Sequence, residues 1–332
     1  MSGIYLDHLD MKRESKSFTD SLYAVLTSRG LFQGPKYMLS GLTGMAFKFT
    51  VHERLLPMSV SAYGQLGTEH LPAIDNLGIY TVSDGGYTRH PTFQRYQQEA
   101  VQWVKESLSQ GIGVIYWLPE FGVIRGYDDE DEVFFIQDGY SFEDQIVLYD
   151  NFGLNSTDFW YIQLLGEKVD VPLKDMILES LRLAIQDWDI PHKTLPSKDI
   201  ASGKLAYHFL VHGLESGTYD EFGAVYILDT YIDSRIEIRN YLREAVVLWP
   251  DLQSAYELYS QLTQVIGELA NYLTDSQNGR QINRAYIPVL IEALLAAKDI
   301  EDQAVNQFRD ISRRYPDPKR STIPRWGAHM VR

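Results

Sequence analysis

The chain has 332 residues and no cysteine, which excludes disulfides, a thiol nucleophile and thiolate metal sites. Hydrophobic residues make up 45% and charged residues 23%, the balance of a globular protein with enough chain for two domains. The net charge of −15 disfavours nucleic-acid backbones and anionic membranes as partners and favours a cationic small molecule, wherever that charge serves more than solubility.

Taken from the start, MSGIYLDHLDMKRES lacks the apolar segment of a secretory signal. No run approaches the roughly 18 apolar residues of a membrane span, so a cytoplasmic protein without membrane partners is expected. Ser17 to Gly30 reads SFTDSLYAVLTSRG, with Leu22, Val25 and Leu26 at helical spacing and Gly30 placed to stop the helix. Ser17 or Thr19 fits the N-cap. The glycines at 41 and 44 then predict a turn into an alternating strand over 46–51, with Phe47, Phe49 and Val51 on one face. A short strand is expected near 79–82, a loop at Asp84-Gly85-Gly86, and an amphipathic helix over 92–110 whose face carries Tyr96, Ala100, Trp103, Val104 and Leu108.

The stretch GIGVIYWLPEFGVIRGYDDEDEVFFIQD, residues 111–138, reads as three strands. The acidic cluster Asp128–Glu132 has no apolar member and suits a solvated hairpin turn; it lacks the alternation and central glycine of a calcium loop. Gly111-Ile112-Gly113 has no phosphate-loop context. Segments 145–151 and 160–164 are strand-like. From residue 173 helical periodicity dominates, with helices predicted over 173–188, 197–215, 222–249, 252–274, 283–298 and 301–315. The tail after Pro316 is basic and Pro-rich.

On these residues the chain resembles the butirosin biosynthesis protein H family. The first half carries the likeness in SLYAVLTSRGL, GLTGMAFKF and GIGVIYW…GVIRGYDDED…IQD. The second half carries it in the helix with Arg235, Arg239, Tyr241, Leu242, Glu244 and Ala245. The resemblance implies an α+β fold: a papain-like N-terminal domain with an antiparallel sheet over 1–168, followed by an all-α domain over 169–332. It implies acyl transfer in natural-product biosynthesis, from a carrier-protein thioester to an amine. The expected partners are a small-molecule amine or acyl substrate and an acyl carrier protein, with no cofactor.

A papain-like site needs a thiolate at a helix N-terminus, a His base and an orienting Asp or Asn. Those positions fall on Ser17, Glu120 and Asp138, so one residue type of three is kept. The oxyanion-stabilising Gln is replaced near Met11. A degenerate site in a non-catalytic binding descendant is therefore one reading, and a Ser-dependent hydrolase another. In the former Ser17 is only a helix cap; in the latter it is a nucleophile. Glu120 and Asp138 either face each other and share a proton or a cation, or one of them pairs with Arg125 or another nearby cation.

Arg235 and Arg239, one turn apart and one turn after Tyr231, suit a forked anion site and are assigned with Tyr127 to substrate binding. The alternative for the arginines is ion pairing with Asp229, Asp233 or Glu237. His208, His212 and Glu215 have the spacing of metal ligands but lack the rest of such a motif; they are expected to pack, and no metal site is assigned.

Overall fold

The structure is a computed structural model that describes residues 3–57, 66–192, 198–276 and 279–316. The chain is α+β, with a seven-stranded antiparallel sheet and a C-terminal helical region. It divides into two compact units. One comprises Met1–Leu39 with Leu77–Asp170; the other comprises Ser40–Asn76 with Val171–Arg332. Both this division and the expected one pass near residue 170, but they differ over 40–76.

In the first unit the sheet follows the order β3 (Ile79–Tyr87), β8 (Phe159–Lys168), β4 (Val114–Trp117), β5 (Phe121–Asp128), β6 (Val133–Gln137) and β7 (Gln145–Leu148). β1 (Gly3–Tyr5) pairs with the far end of β5, where β4 has run out. All four residues of β4 are buried. That explains its unbroken apolar run: a strand covered on both faces has no reason to alternate. The acidic cluster forms the β5–β6 hairpin tip, where Asp128 accepts the Glu130 N–H at 2.8 Å. A bulge at Arg125 turns that side chain to Asp144, 2.8 Å away.

Helix α1 (Ser17–Ser28) buries Phe18, Leu22, Val25 and Leu26, and Phe18 meets Phe121 of β5 edge-on at 5.4 Å. Gly30 ends its connection at φ +72°, a conformation that favours glycine. Helix α4 (Phe93–Ser109) also packs on the sheet. Its buried face is rotated from the expected one, because Gln97 turns inward to donate to the carbonyls of Asp150 and Phe152 while Tyr96 stays exposed. The expected loop at 84–86 is part of β3, which pairs with β8 as far as Tyr87.

The second unit is helical: α2 (Lys36–Leu42) runs into it, followed by α3 (Leu66–Asp75), α5 (Leu173–Asp189), α6 (Gly203–Ser216), α7 (Glu221–Leu248), α8 (Gln253–Ile266) and α9 (Ile287–Arg314). It is not all-α. β2 (Thr50–His52) pairs with β9 (Ile200–Ser202), and β10 (Leu273–Ser276) pairs with β11 (Gly279–Ile282). The predicted strand over 46–51 shrinks to β2. Phe47 instead contacts Tyr241, Tyr259 and Phe308, and Phe49 contacts Tyr207 and Tyr231. Those aromatic contacts are what place 40–76 in this unit. The helix expected over 252–274 stops at Ile266, and the two expected over 283–315 are one continuous α9.

One buried ion pair ties four helices together. Arg235 of α7 is 1% exposed and Glu301 of α9 2%, at 3.0 Å. Tyr259 of α8 donates to Glu301 at 2.9 Å, Tyr207 of α6 donates to it as well, and the Arg235 guanidinium lies over the rings of Phe49 and Tyr231. Burial first, then the Glu301 charge, pushes the Tyr207 and Tyr259 hydroxyls well above their ordinary range, so they stay neutral donors. Removing one partner strands a buried charge. Glu301→Ala should therefore cost about 3–5 kcal/mol in urea unfolding at neutral pH, while Arg235→Met with Glu301→Leu should cost much less.

Candidate functional site

The site is built where the N-terminal turn of α1 meets the turn that feeds β5. β4 and β5 are joined by residues 118–120, closed by the Leu118 N–H donating to the Glu120 carbonyl at 2.8 Å. That tight turn fixes Glu120 at the entry to β5. Ser17 is the first residue of α1, 0% exposed, and its hydroxyl donates to the Glu120 carboxylate. The structure thus brings together two residues 103 positions apart. Ser17 is not the helix cap: Lys16 holds that position in extended conformation, without a side-chain cap bond.

Asp138 ends the third strand as expected, but its carboxylate serves its own loop. It accepts the N–H groups of Tyr140 at 2.8 Å and Ser141 at 3.0 Å, and the Gln145 side-chain amide at 2.8 Å. Burial pushes its pKa up, yet those donors and the nearby Arg13 charge outweigh it, leaving the carboxyl below its ordinary value. One carboxylate oxygen is thus taken by the two loop N–H groups and the other by the Gln145 amide. Arg125 is not the partner of Asp138, nor that of Glu120, since it is bound to Asp144.

Further residues hold the site, none of them assigned to it from the sequence. Arg13 donates through Nη2 to the carbonyls of Phe121 at 3.0 Å and Asp138 at 2.7 Å, joining the start of β5 to the end of β6. Its backbone N–H donates to Gly139, which sits at φ +82° where any side chain would collide with the Arg13 backbone. Its guanidinium lies over the Tyr140 ring at 5.0 Å. Asp20, 1% exposed, accepts the Glu14 and Ser15 N–H groups and pairs with Lys36 at 2.8 Å. Burial pulls the Lys36 pKa down, but Asp20 and Glu14 outweigh it and leave it raised. The signal for Asp20 is the Ser17-x-x-Asp20 spacing, a capping-box pattern whose acid reaches back into the preceding loop. Nothing in sequence points to Arg13.

Met11 lies in the same unit, its N–H donating to the Gln137 side chain at 2.8 Å and its sulfur accepting from Ser21. Tyr127, on β5, is half-buried with the Lys105 ammonium 5.6 Å above its ring.

The two arginines assigned to substrate binding do not form a fork. Arg235 is enclosed in the helical unit with its donors engaged by Glu301 and Ser234, and Arg239 bonds Asn240. Of the acids on the same helix, Asp229 pairs with Arg280, and Glu237 accepts from Ser40. His208, His212 and Glu215 form an exposed stripe on α6 rather than packing. Among the described residues no group of three His, Cys, Asp or Glu side chains is placed to hold a metal ion, and no helix is long and apolar enough to cross a membrane.

No family model matches the chain, and no curated protein matches it.

Two measurements check the site. In a double-mutant cycle of Ser17→Ala and Glu120→Ala, the coupling should be about 1.5–3 kcal/mol, as for a hydrogen bond to a charged group. A coupling near zero would mean that the contact contributes nothing. For Asp138 the folded-state pKa lies below the ordinary 3.8. Its stabilisation is then complete above that value and is lost as pH falls through the lower, folded-state pKa. Asp138→Asn should accordingly lose less stability than the parent between about pH 5 and pH 2, read from urea midpoints.

Proposed function

We propose that the first unit is a papain-like scaffold, of the kind found in the butirosin biosynthesis protein H family, in which a hydroxyl–carboxylate contact replaces the thiolate–imidazolium pair. On this reading the chain binds an amine or acyl ligand of natural-product assembly, or the carrier protein that delivers it, without transferring the acyl group. The observation that carries the reading is the Ser17–Glu120 hydrogen bond at the head of α1.

The replacement is chemically coherent as a pair. A thiolate beside a carboxylate would suffer like-charge repulsion, which disfavours ionisation. A hydroxyl beside a carboxylate makes a charge-assisted hydrogen bond instead, and the positive end of the helix dipole favours the carboxylate. The same arrangement is poor for catalysis. A serine nucleophile needs a base that takes its proton, and a carboxylate is intrinsically a weaker base than imidazole. Ser17 is also fully buried, with its proton committed to Glu120.

The test restores the older chemistry. The chain has no other cysteine, so a thiol placed at 17 is the single one and its ionisation can be followed by the 13Cβ shift of labelled cysteine. In Ser17→Cys with Glu120→His the thiol pKa should fall below about 8.5; in Ser17→Cys alone, facing the carboxylate, it should rise above that value. An unshifted thiol in both variants would overturn the assignment of these positions.

A further inference from the structure

A separate cavity of about 380 Å3 opens in the first unit, where β3 and β8 pass the C-terminal half of α4. Two of its aromatic linings are Tyr80 of β3 and Trp103 of α4, and its apolar lining includes Val82, Leu164 and Leu165. Tyr80 is 62% exposed yet its position is built. Gly166 on β8 leaves room for the ring, and a β-carbon there would sit 2.9 Å from it. This is a tyrosine laid across a strand glycine, which fixes an exposed ring without burying it.

Two carboxylates line the same cavity, Asp84 and Glu106. Neither has an ion-pair partner among the described residues. The Gly85 N–H donates to one oxygen of Asp84 at 2.7 Å and holds the carboxylate in place. Burial nevertheless raises the Asp84 pKa, the backbone bond offsetting it only in part; a cation in the cavity would relieve that cost. A hard metal ion gains nothing from two aromatic walls, whereas an organic ammonium is attracted by carboxylates and aromatic faces alike.

We propose that this cavity is a binding site for an organic ammonium with an apolar body, its charge held by Asp84 and Glu106 and its body between Tyr80 and Trp103. The site rests on none of the residues of the Ser17–Glu120 contact, and a failure of either assignment leaves the other standing.

The experiment titrates phenethylamine into the full chain and follows the Trp103 indole resonance by 1H–15N NMR, assigned by its loss in Trp103→Phe. Phenethyl alcohol, the same body without charge, is the matched control. A saturable shift is expected with the amine, at least about tenfold weaker with the alcohol and in Asp84→Asn, as for loss of one charged contact. Gly166→Ala should weaken it as well, by displacing Tyr80, and Ser17→Ala should leave it unchanged. The absence of a saturable shift up to about 10 mM amine, or equal binding of alcohol and amine, would overturn the proposal.

Discussion

The first unit depends on one short contact, a hydroxyl at the first residue of a helix donating to a carboxylate on a turn between two central strands. Its geometry is set from both sides. The 118–120 turn between β4 and β5 fixes the carboxylate, and the burial of Phe18 against Phe121 fixes the helix. Around that contact the loops are tied by charged groups: Arg13 through Nη2 on two strand-end carbonyls, Asp20 on two loop N–H groups and on Lys36. A rigid frame of this kind is what a catalytic pair needs for positioning. Here it holds a hydroxyl–carboxylate pair instead, with the hydroxyl proton committed within the pair.

The second unit solves a different problem by a similar device. Its helices surround a buried ion pair, and three tyrosine hydroxyls take part in that network. A buried pair of charges gives little net stability against an apolar replacement, because both ions lose their water. What it supplies is a penalty for misplacement, since any shift of one helix leaves a charge or a hydroxyl without its partner. The 40–76 segment joins this unit for the same reason, with Phe49 closing one side of the guanidinium.

The strands of 111–138 were legible in the sequence because apolar runs there are bounded by glycine and by an acidic cluster, and burial on both faces leaves no competing periodicity. Phe47 and Phe49 misled for a physical reason. Their alternation is that of a strand face, but it serves two ring clusters of the helical unit. The break expected between 298 and 301 falls in KDIEDQ, a polar run inside α9. It contains no Gly or Pro, and Glu301 within it is the buried partner of Arg235. Spacing alone presented Arg235 and Arg239 as a fork; only tertiary structure shows that one of them faces inward. Ser17 and Glu120 came from the resemblance, not from any local pattern, because no sequence rule joins positions so far apart.

The most direct test of the central claim is whether Ser17 is a nucleophile. Intact-protein mass spectrometry after incubation with a fluorophosphonate reads this without knowledge of the natural ligand, since an activated serine leaves a stable phosphonyl ester. The Ser17–Glu120 contact predicts no adduct at Ser17. A stoichiometric adduct that maps to Ser17 and disappears in Ser17→Ala would contradict it and make this site catalytic.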